Sequence, residues 1–299
     1  MKAILMTGAA GRIGTFLRPE LAGKYKLRLS DIKPVRDLQR DETFVRADIS
    51  KFSDMLKVTR GVDAVVHFGG QSGEHDWDHI LSANIIGFYN TLEAARRNGV
   101  KRFLVATSNH AVGFYRCDQI VDHTVYPRPD SRYGVSKAFN EALASLYADR
   151  YGMQVFCMRI GNVNREPIDR RRLAIWISGR DMAQLVTIGI EHPKLHFEVV
   201  YGISDNARTW FDNTNAFRLG YRPQDRSEPH AVEILKRDGP PGTAPEDIYQ
   251  GGGHCMSEGG TRSRLAGETA PAPKRKAATS KRTSRKTPAK SARKRKRTR

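Results

Sequence analysis

KAILMTGAAGRIG, residues 2–14, is a short apolar run that enters a glycine-rich turn, and its reading decides the fold. Lys2–Thr7 has the length and apolar content of a buried strand, and a helix-like segment follows the turn as far as Leu21. Gly8, Gly11 and Gly14 give the turn a GxxGxxG spacing. Glycines so placed let the chain turn tightly, bring backbone N–H groups up to a pyrophosphate at a helix N-terminus and let the helix pack on the strand. Arg12 and Ile13 lie within the turn and join it as candidate cofactor contacts. The next strand-like run, KLRLSD, ends at Asp31, where an acid would meet the adenosine ribose hydroxyls. A carboxylate there repels the 2′-phosphate of NADP, so NAD is the expected cofactor, although Lys33 and Arg36 nearby act in the opposite sense. Asp48 and Ile49, in RADIS, are candidates for the adenine end, and Gly69 follows the fourth apolar run.

Outward from this turn, apolar runs at Ala3–Met6, Leu27–Leu29, Ala64–Phe68, Phe103–Ala106 and Val155–Ile160 are separated by helical stretches such as Ile80–Asn98 and Lys137–Tyr151. Such alternation predicts βαβ units and an α/β fold, a Rossmann-like doubly wound parallel sheet. After Asn162 the pattern loosens, and a helix-like Asp181–Glu191 and a strand-like His196–Tyr201 are assigned to a small substrate-covering lobe over about residues 163–250. The expected organisation is a catalytic body over 1–250 and a disordered tail over 251–299, Gly-rich at first and then Lys/Arg-rich.

The charge is uneven. Sixteen of the 51 Lys/Arg, but only Glu268 among the 32 Asp/Glu, lie in residues 262–299, leaving 35 basic and 31 acidic side chains in front of them. A nearly neutral body excludes the reading of the whole chain as a nucleic-acid binder and confines non-specific nucleic-acid binding to the tail. Cys117, Cys157 and Cys255 are odd in number and far apart, which favours a reducing compartment. The apolar start runs into the glycine turn instead of a cleavage site, and no stretch reaches the roughly 18 apolar residues of a membrane span. A cytoplasmic protein without a membrane partner is expected. No metal is expected either: His254 stands beside Cys255 without two further ligands at zinc spacing.

Tyr133 and Lys137, in YGVSK, are four apart on a helix-like stretch and so share a face. A phenol is a poor base at neutral pH, but an adjacent cation stabilises its phenolate, and this predicts a lowered pKa for Tyr133. The strand-like Phe103–Ala106 leads into Thr107-Ser108-Asn109-His110, and parallel strands deliver such residues to the ligand crevice, where Ser108 can hold the reacting oxygen.

With GxxGxxG, a serine at a strand end and YxxxK in this order, the chain resembles the extended short-chain dehydrogenase/reductases. VVHFGG, NIIGFYNTLEAAR, SNHAVGFY, RPDSRYGVSK and RIGNVNREP resemble the corresponding stretches of bacterial uronate dehydrogenases, over about Lys2 to Asp225. That resemblance implies oxidation of C1 of D-galacturonate or D-glucuronate with NAD to an aldarolactone. It implies Tyr133 as base, Lys137 as its partner and a holder of the nicotinamide ribose, and Ser108 as the positioning hydroxyl. Ser72, Asn109 and His110 match substrate-contacting positions, and Arg171 matches the arginine that holds the C6 carboxylate; Arg170 and Arg172 flank it, and only the resemblance selects the middle one. The sequence departs from the family at Asn162, where a serine is usual, and in the loop Gln71–Asp78. A homo-oligomer is expected. The alternatives are a nucleotide-sugar epimerase or dehydratase of the same fold, disfavoured by the short C-terminal part, and a nucleic-acid-associated protein acting through its tail.

Overall fold

The computed structural model describes residues 1–258 and the short strand Thr261–Arg262. Seven parallel strands form the central sheet: β1 (Ala3–Thr7), β2 (Lys26–Asp31), β3 (Glu42–Arg46), β4 (Ala64–His67), β5 (Arg102–Ser108), β6 (Gln154–Ile160) and β7 (Phe197–Gly202). Their order is β3-β2-β1-β4-β5-β6-β7, so the winding reverses between β1 and β4, and a crevice opens at the carboxyl ends of these two strands.

The runs are apolar because both faces of the sheet are covered. Side chains alternate across a strand, so Ile4 and Met6 point to one face and Leu5 to the other. The first face, with Leu29, Val66 and Phe156, packs on α1 (Arg12–Leu21) and on the later helix Gly179–Glu191 through Leu17, Leu21, Leu185 and Val186. The second, with Val65, Phe103 and Val155, packs on α2 (Phe52–Val58), α3 (Gly87–Arg97) and α4 (Arg132–Tyr151) through Met55, Phe88, Leu92 and Tyr147. Ahead of α3 the helix is π-wound over Ile80–Ile86. The catalytic candidate YGVSK opens α4, whose first turn is capped by Ser131 Oγ accepting from Gly134 N at 3.0 Å.

Two boundaries differ from the expectation. Gly179–Glu191, here α5, and β7 are not lobe: β7 pairs in register with β6, and α5 completes the helical layer beside α1. A strand-like run after a helix is simply another βα unit, and the loss of periodicity after Asn162 belongs only to the insertion in front of α5. The lobe is discontinuous, with Ala174, Ile175, Trp210 and Phe211 in one small core and Leu173, Ala231 and Ile234 in another. Nor does a tail begin at 251. Gly252–Met256 is a 3₁₀ turn with Gly251, Cys255 and Met256 buried, and Ser257–Glu258 pairs antiparallel with Thr261–Arg262. The remaining basic stretch lies outside the described residues. No described helix is long and apolar enough to cross a membrane.

Candidate active site

A cleft of about 870 Å³ follows the carboxyl ends of the strands. Gly8, Gly11, Arg12 and Ile13 line one end of it, with Asp31, Asp48, Ile49 and Gly69. Gly8 has φ +67°, and a Cβ there would stand 2.6 Å from the carbonyl of Phe68, so the turn closes on the neighbouring strand end only with glycine. Gly14 does not line the cleft; a Cβ there would lie 2.4 Å from the Ala9 carbonyl oxygen, which makes it a packing residue instead of a cofactor contact. No side chain caps α1, leaving its first N–H groups for an anion. Asp31 fastens the turn by accepting from Ala10 N at 3.0 Å and Lys33 N at 2.9 Å. These are the features a dinucleotide needs: uncapped helix amides, close backbone approach and an acid at the end of β2.

The other end of the cleft holds Ser108, Tyr133 and Lys137. The Tyr133 hydroxyl is hydrogen-bonded to Ser108, and Lys137 Nζ lies 5.4 Å from the centre of the Tyr133 ring while donating to the Ala106 carbonyl at 2.9 Å. The predicted lowering of the phenol pKa is not found among the protein's own groups. Burial pushes Tyr133 up to about 12, against the Ser108 hydrogen bond and with the help of the Asp130 charge. Burial also pushes Lys137 down to about 8. Desolvation therefore dominates at both groups, and added positive charge beside the phenol would favour its phenolate.

His110 gives its Nδ1 to Asp130 Oδ2 at 2.6 Å and meets Tyr133 edge to face at 5.8 Å. Asp130 was not visible as a site residue, because an acid just before a helix-capping serine reads as part of the cap. It does support that cap, accepting from Ser131 Oγ at 2.7 Å, but its second oxygen belongs to the histidine. Although burial raises it, the His110 charge and hydrogen bonds leave the carboxyl below its ordinary value. Asn84, from the π-wound turn, was also missed. It accepts from Gln71 N at 2.7 Å and donates to Ser136 Oγ at 3.1 Å, which ties the departing loop Gln71–Asp78 to α4. Glu74 adds a second tie, accepting from Tyr133 N at 2.9 Å. Within that loop the donor atoms of His75, Asp76 and His79 come within 4.8 Å of one another, with Asp76 already accepting from His79 N as a helix cap.

The three consecutive arginines have different fates. Arg170 pairs with Asp247 and Arg172 with Asp169, whereas Arg171 turns into the cleft and has no carboxylate partner among the described residues. Its Nε donates to the Gln250 carbonyl at 2.8 Å. With the Asn109 amide oriented to suit its neighbours, Asn109 Oδ1 accepts from Arg171 Nη2 at 2.8 Å and its Nδ2 donates to the Ile160 carbonyl at 3.1 Å. Asn109 is fully buried, and its amide orients the arginine. Burial, with Arg172 beside it, lowers Arg171 to about 10, leaving it charged at neutral pH. Ser72, His110 and Asn162 do line the cleft.

Glycines read as the start of a disordered tail place the C-terminal segment on this site. Gly252, at φ +61°, leaves only 2.5 Å between a would-be Cβ and Arg171 Cδ, and Gly251 is as close to Asp130. The turn they form carries His254 into the cleft. Thr107, Asn162, Arg172 and His254 each contribute to the cleft-lining residues a buried polar atom without a partner among the described residues. Each such atom costs about 1–3 kcal/mol until a ligand supplies its hydrogen bond.

Residues 4–192 match the NAD dependent epimerase/dehydratase family. The chain is 41% identical over 256 residues to a uronate dehydrogenase of Pseudomonas putida, covering 85% of this chain and 96% of that one. It is 36% identical to an NAD-dependent glucose-6-phosphate dehydrogenase of Haloferax volcanii over 77% of this chain and 96% of the other. The crystal structure of uronate dehydrogenase from Agrobacterium tumefaciens superposes with a TM-score of 0.83 at 36% identity, covering 88% of this chain and 99% of that one. A mutant of that enzyme has been solved in complex with NAD. The cofactor cradle, the Ser108, Tyr133 and Lys137 cluster and this similarity along nearly the whole length of the relatives agree, and the chain belongs to the uronate dehydrogenases, within the NAD dependent epimerase/dehydratase family.

Proposed function

We propose that the chain oxidises the anomeric carbon of a hexuronate, D-galacturonate or D-glucuronate, with NAD, giving the aldarolactone. Arg171 carries this reading: a half-buried arginine without a carboxylate partner among the described residues stands in the same cleft as Ser108, Tyr133 and Lys137. A planar fork of donors suits a carboxylate better than a neutral hydroxymethyl group. NAD, when bound, supplies the hydride acceptor and a positive charge. The protein's part is positional and protolytic. Arg171 holds the C6 carboxylate and thereby fixes C1, Ser108 donates to O1, and Tyr133 takes the O1 proton as hydride departs. Lys137 stabilises the phenolate and holds the nicotinamide ribose. Ser72, His110 and the unpartnered Oδ1 of Asn162 face the sugar hydroxyls. NADH formation from galacturonate or glucuronate, but not from galactose or glucose 6-phosphate, is the expected result; equal rates on the neutral sugar overturn it.

We further propose a cytoplasmic homo-oligomer. Its support is a row of exposed apolar residues on α4, Val135, Phe139 and Leu146, beside exposed Ile86 and Tyr89 at the start of the α3 segment. Light scattering after gel filtration tests it, a monomer being the adverse result. The basic stretch after Arg262 is proposed to bind nucleic acid without sequence preference, by phosphate neutralisation.

A further inference from the structure

His254 is left over from this account. It comes from the 3₁₀ turn Gly252–Met256, remote in sequence from every other site residue, and its ring lies 3.8 Å from that of His110 at an interplanar angle of 31°. The Tyr133 ring is 6.2 Å away, and the backbone at Gly252 touches Arg171. The imidazole therefore shares the cleft with the group that would act at C1 and the group that would hold C6. Its Nε2 is buried beneath Gly73 of the loop, 3.7 Å from where a Cβ at that position would lie, and has no partner among the described residues.

We propose that His254 Nε2 forms a hydrogen bond with one of the ring hydroxyls at C2, C3 or C4 of the bound uronate, which makes His254 a specificity-determining residue. The assignment rests on the uronate reading above. His110 cannot fill this role with the same freedom, because its Nδ1 is committed to Asp130. Burial, reinforced by the neighbouring His110, Arg171 and Arg172 against the pull of Asp130, pushes His254 down to about 3, so the ring is neutral. A neutral imidazole nitrogen either donates or accepts, and a hydroxyl can answer either tautomer. The C6 carboxylate has the guanidinium, which leaves the ring hydroxyls as the matching groups.

The test compares full-length wild type, His254→Phe and His254→Gln by initial rates of NADH formation, with galacturonate, glucuronate and the uronates lacking the hydroxyl at C2, C3 or C4. Phenylalanine keeps the ring against His110 and deletes the nitrogen. Thermal melting and NADH binding confirm that each variant is folded with an intact cofactor site. KM for the preferred uronate should rise about tenfold in His254→Phe, the worth of one ordinary hydrogen bond, with the loss in KM and not in kcat. One deoxy-uronate should lose the same factor with wild type and nothing further with His254→Phe, and glutamine should restore part of the loss. A KM within twofold of wild type on every substrate overturns the proposal, as does a uniform loss on all the deoxy compounds, which marks a packing residue. Wild type that makes no NADH from any uronate removes the underlying reading as well, a result distinct from failure of the variant alone.

Discussion

Arg171→Lys separates anion recognition from scaffolding. A guanidinium has five N–H donors; Nε–H is spent on the Gln250 carbonyl and one Nη2–H on Asn109, so these contacts leave one donor on Nη2 and two on Nη1. Those are the two nitrogens that can meet both oxygens of a carboxylate. Lysine keeps the charge and offers at most one comparable contact. The loss is then one charge-assisted hydrogen bond, about 1.5–3 kcal/mol, or roughly a 10- to 150-fold fall in kcat/KM for a uronate. Truncation to methionine is a poorer probe, since it strands the Asn109 amide and the Gln250 carbonyl in a buried site and confounds recognition with folding. The assay measures NADH formation with the uronate and with its neutral aldose, the latter at concentrations where residual turnover is visible, alongside the melting temperature. The uronate should lose its full factor while the aldose changes less than about threefold. Equal losses on both, or no loss on the uronate, refute the assignment of Arg171 as the carboxylate clamp.

Tyr133→Phe should abolish turnover while leaving NAD binding within about twofold, by fluorescence titration; substantial residual turnover removes the phenol from the chemistry. Tyr133, raised to about 12 by burial, should titrate at lower pH once the positive cofactor is bound, because nearby cationic charge favours phenolate; phenolate absorbance of wild type minus Tyr133→Phe reads this directly, and an unmoved titration contradicts it. Asp130→Asn should destabilise the fold by about 3 kcal/mol and lower kcat on uronates at least tenfold, since it leaves His110 without its buried anion; an active, undiminished variant would reduce Asp130 to a cap residue. Two truncations test the revised boundary: a chain ending at Arg262 should keep kcat and KM and lose salt-sensitive retardation of DNA, whereas one ending at Gln250 should lose uronate oxidation. Loss of activity in the longer chain places catalytic function in the basic stretch.

The cofactor half was readable because its determinants are local. Gly8, Gly11 and Asp31 fall within one βαβ unit, where spacing and structure correspond directly. Tyr133 and Lys137 were readable for the same reason, four residues apart on one helix. Arg171 was not separable from Arg170 and Arg172 by composition; their partners, Asp247 and Asp169, meet them only through the folded lobe. Asn109 looked like a substrate contact because it sits between Ser108 and His110, yet a strand end sends successive side chains in different directions, and this one goes to Arg171. Gly251 to Gly253 were misjudged because glycine serves flexible linkers and close packing alike, and only the proximity of Asp130 and Arg171 tells the two apart.

The C-terminal turn also sets an order on synthesis. By the time Gly70 has been added, the chain already contains the glycine turn, Asp31, Asp48 and the strand ends that shape the dinucleotide cradle. The proposed anion clamp is completed much later: Arg171 is made midway, but the Gln250 carbonyl that holds its Nε and the turn that carries His254 come near the end of the catalytic body. Domains generally fold as units, so this one is complete only when its last segment has been made. A prematurely terminated product lacking residues 250–258 would therefore retain every residue of the NAD cradle and of the Ser108, Tyr133 and Lys137 cluster while lacking the turn proposed to select the sugar. Such fragments would compete for cofactor without turning over uronate, so for this enzyme the fidelity of the last stretch of translation bears on function as much as that of the motif-bearing beginning.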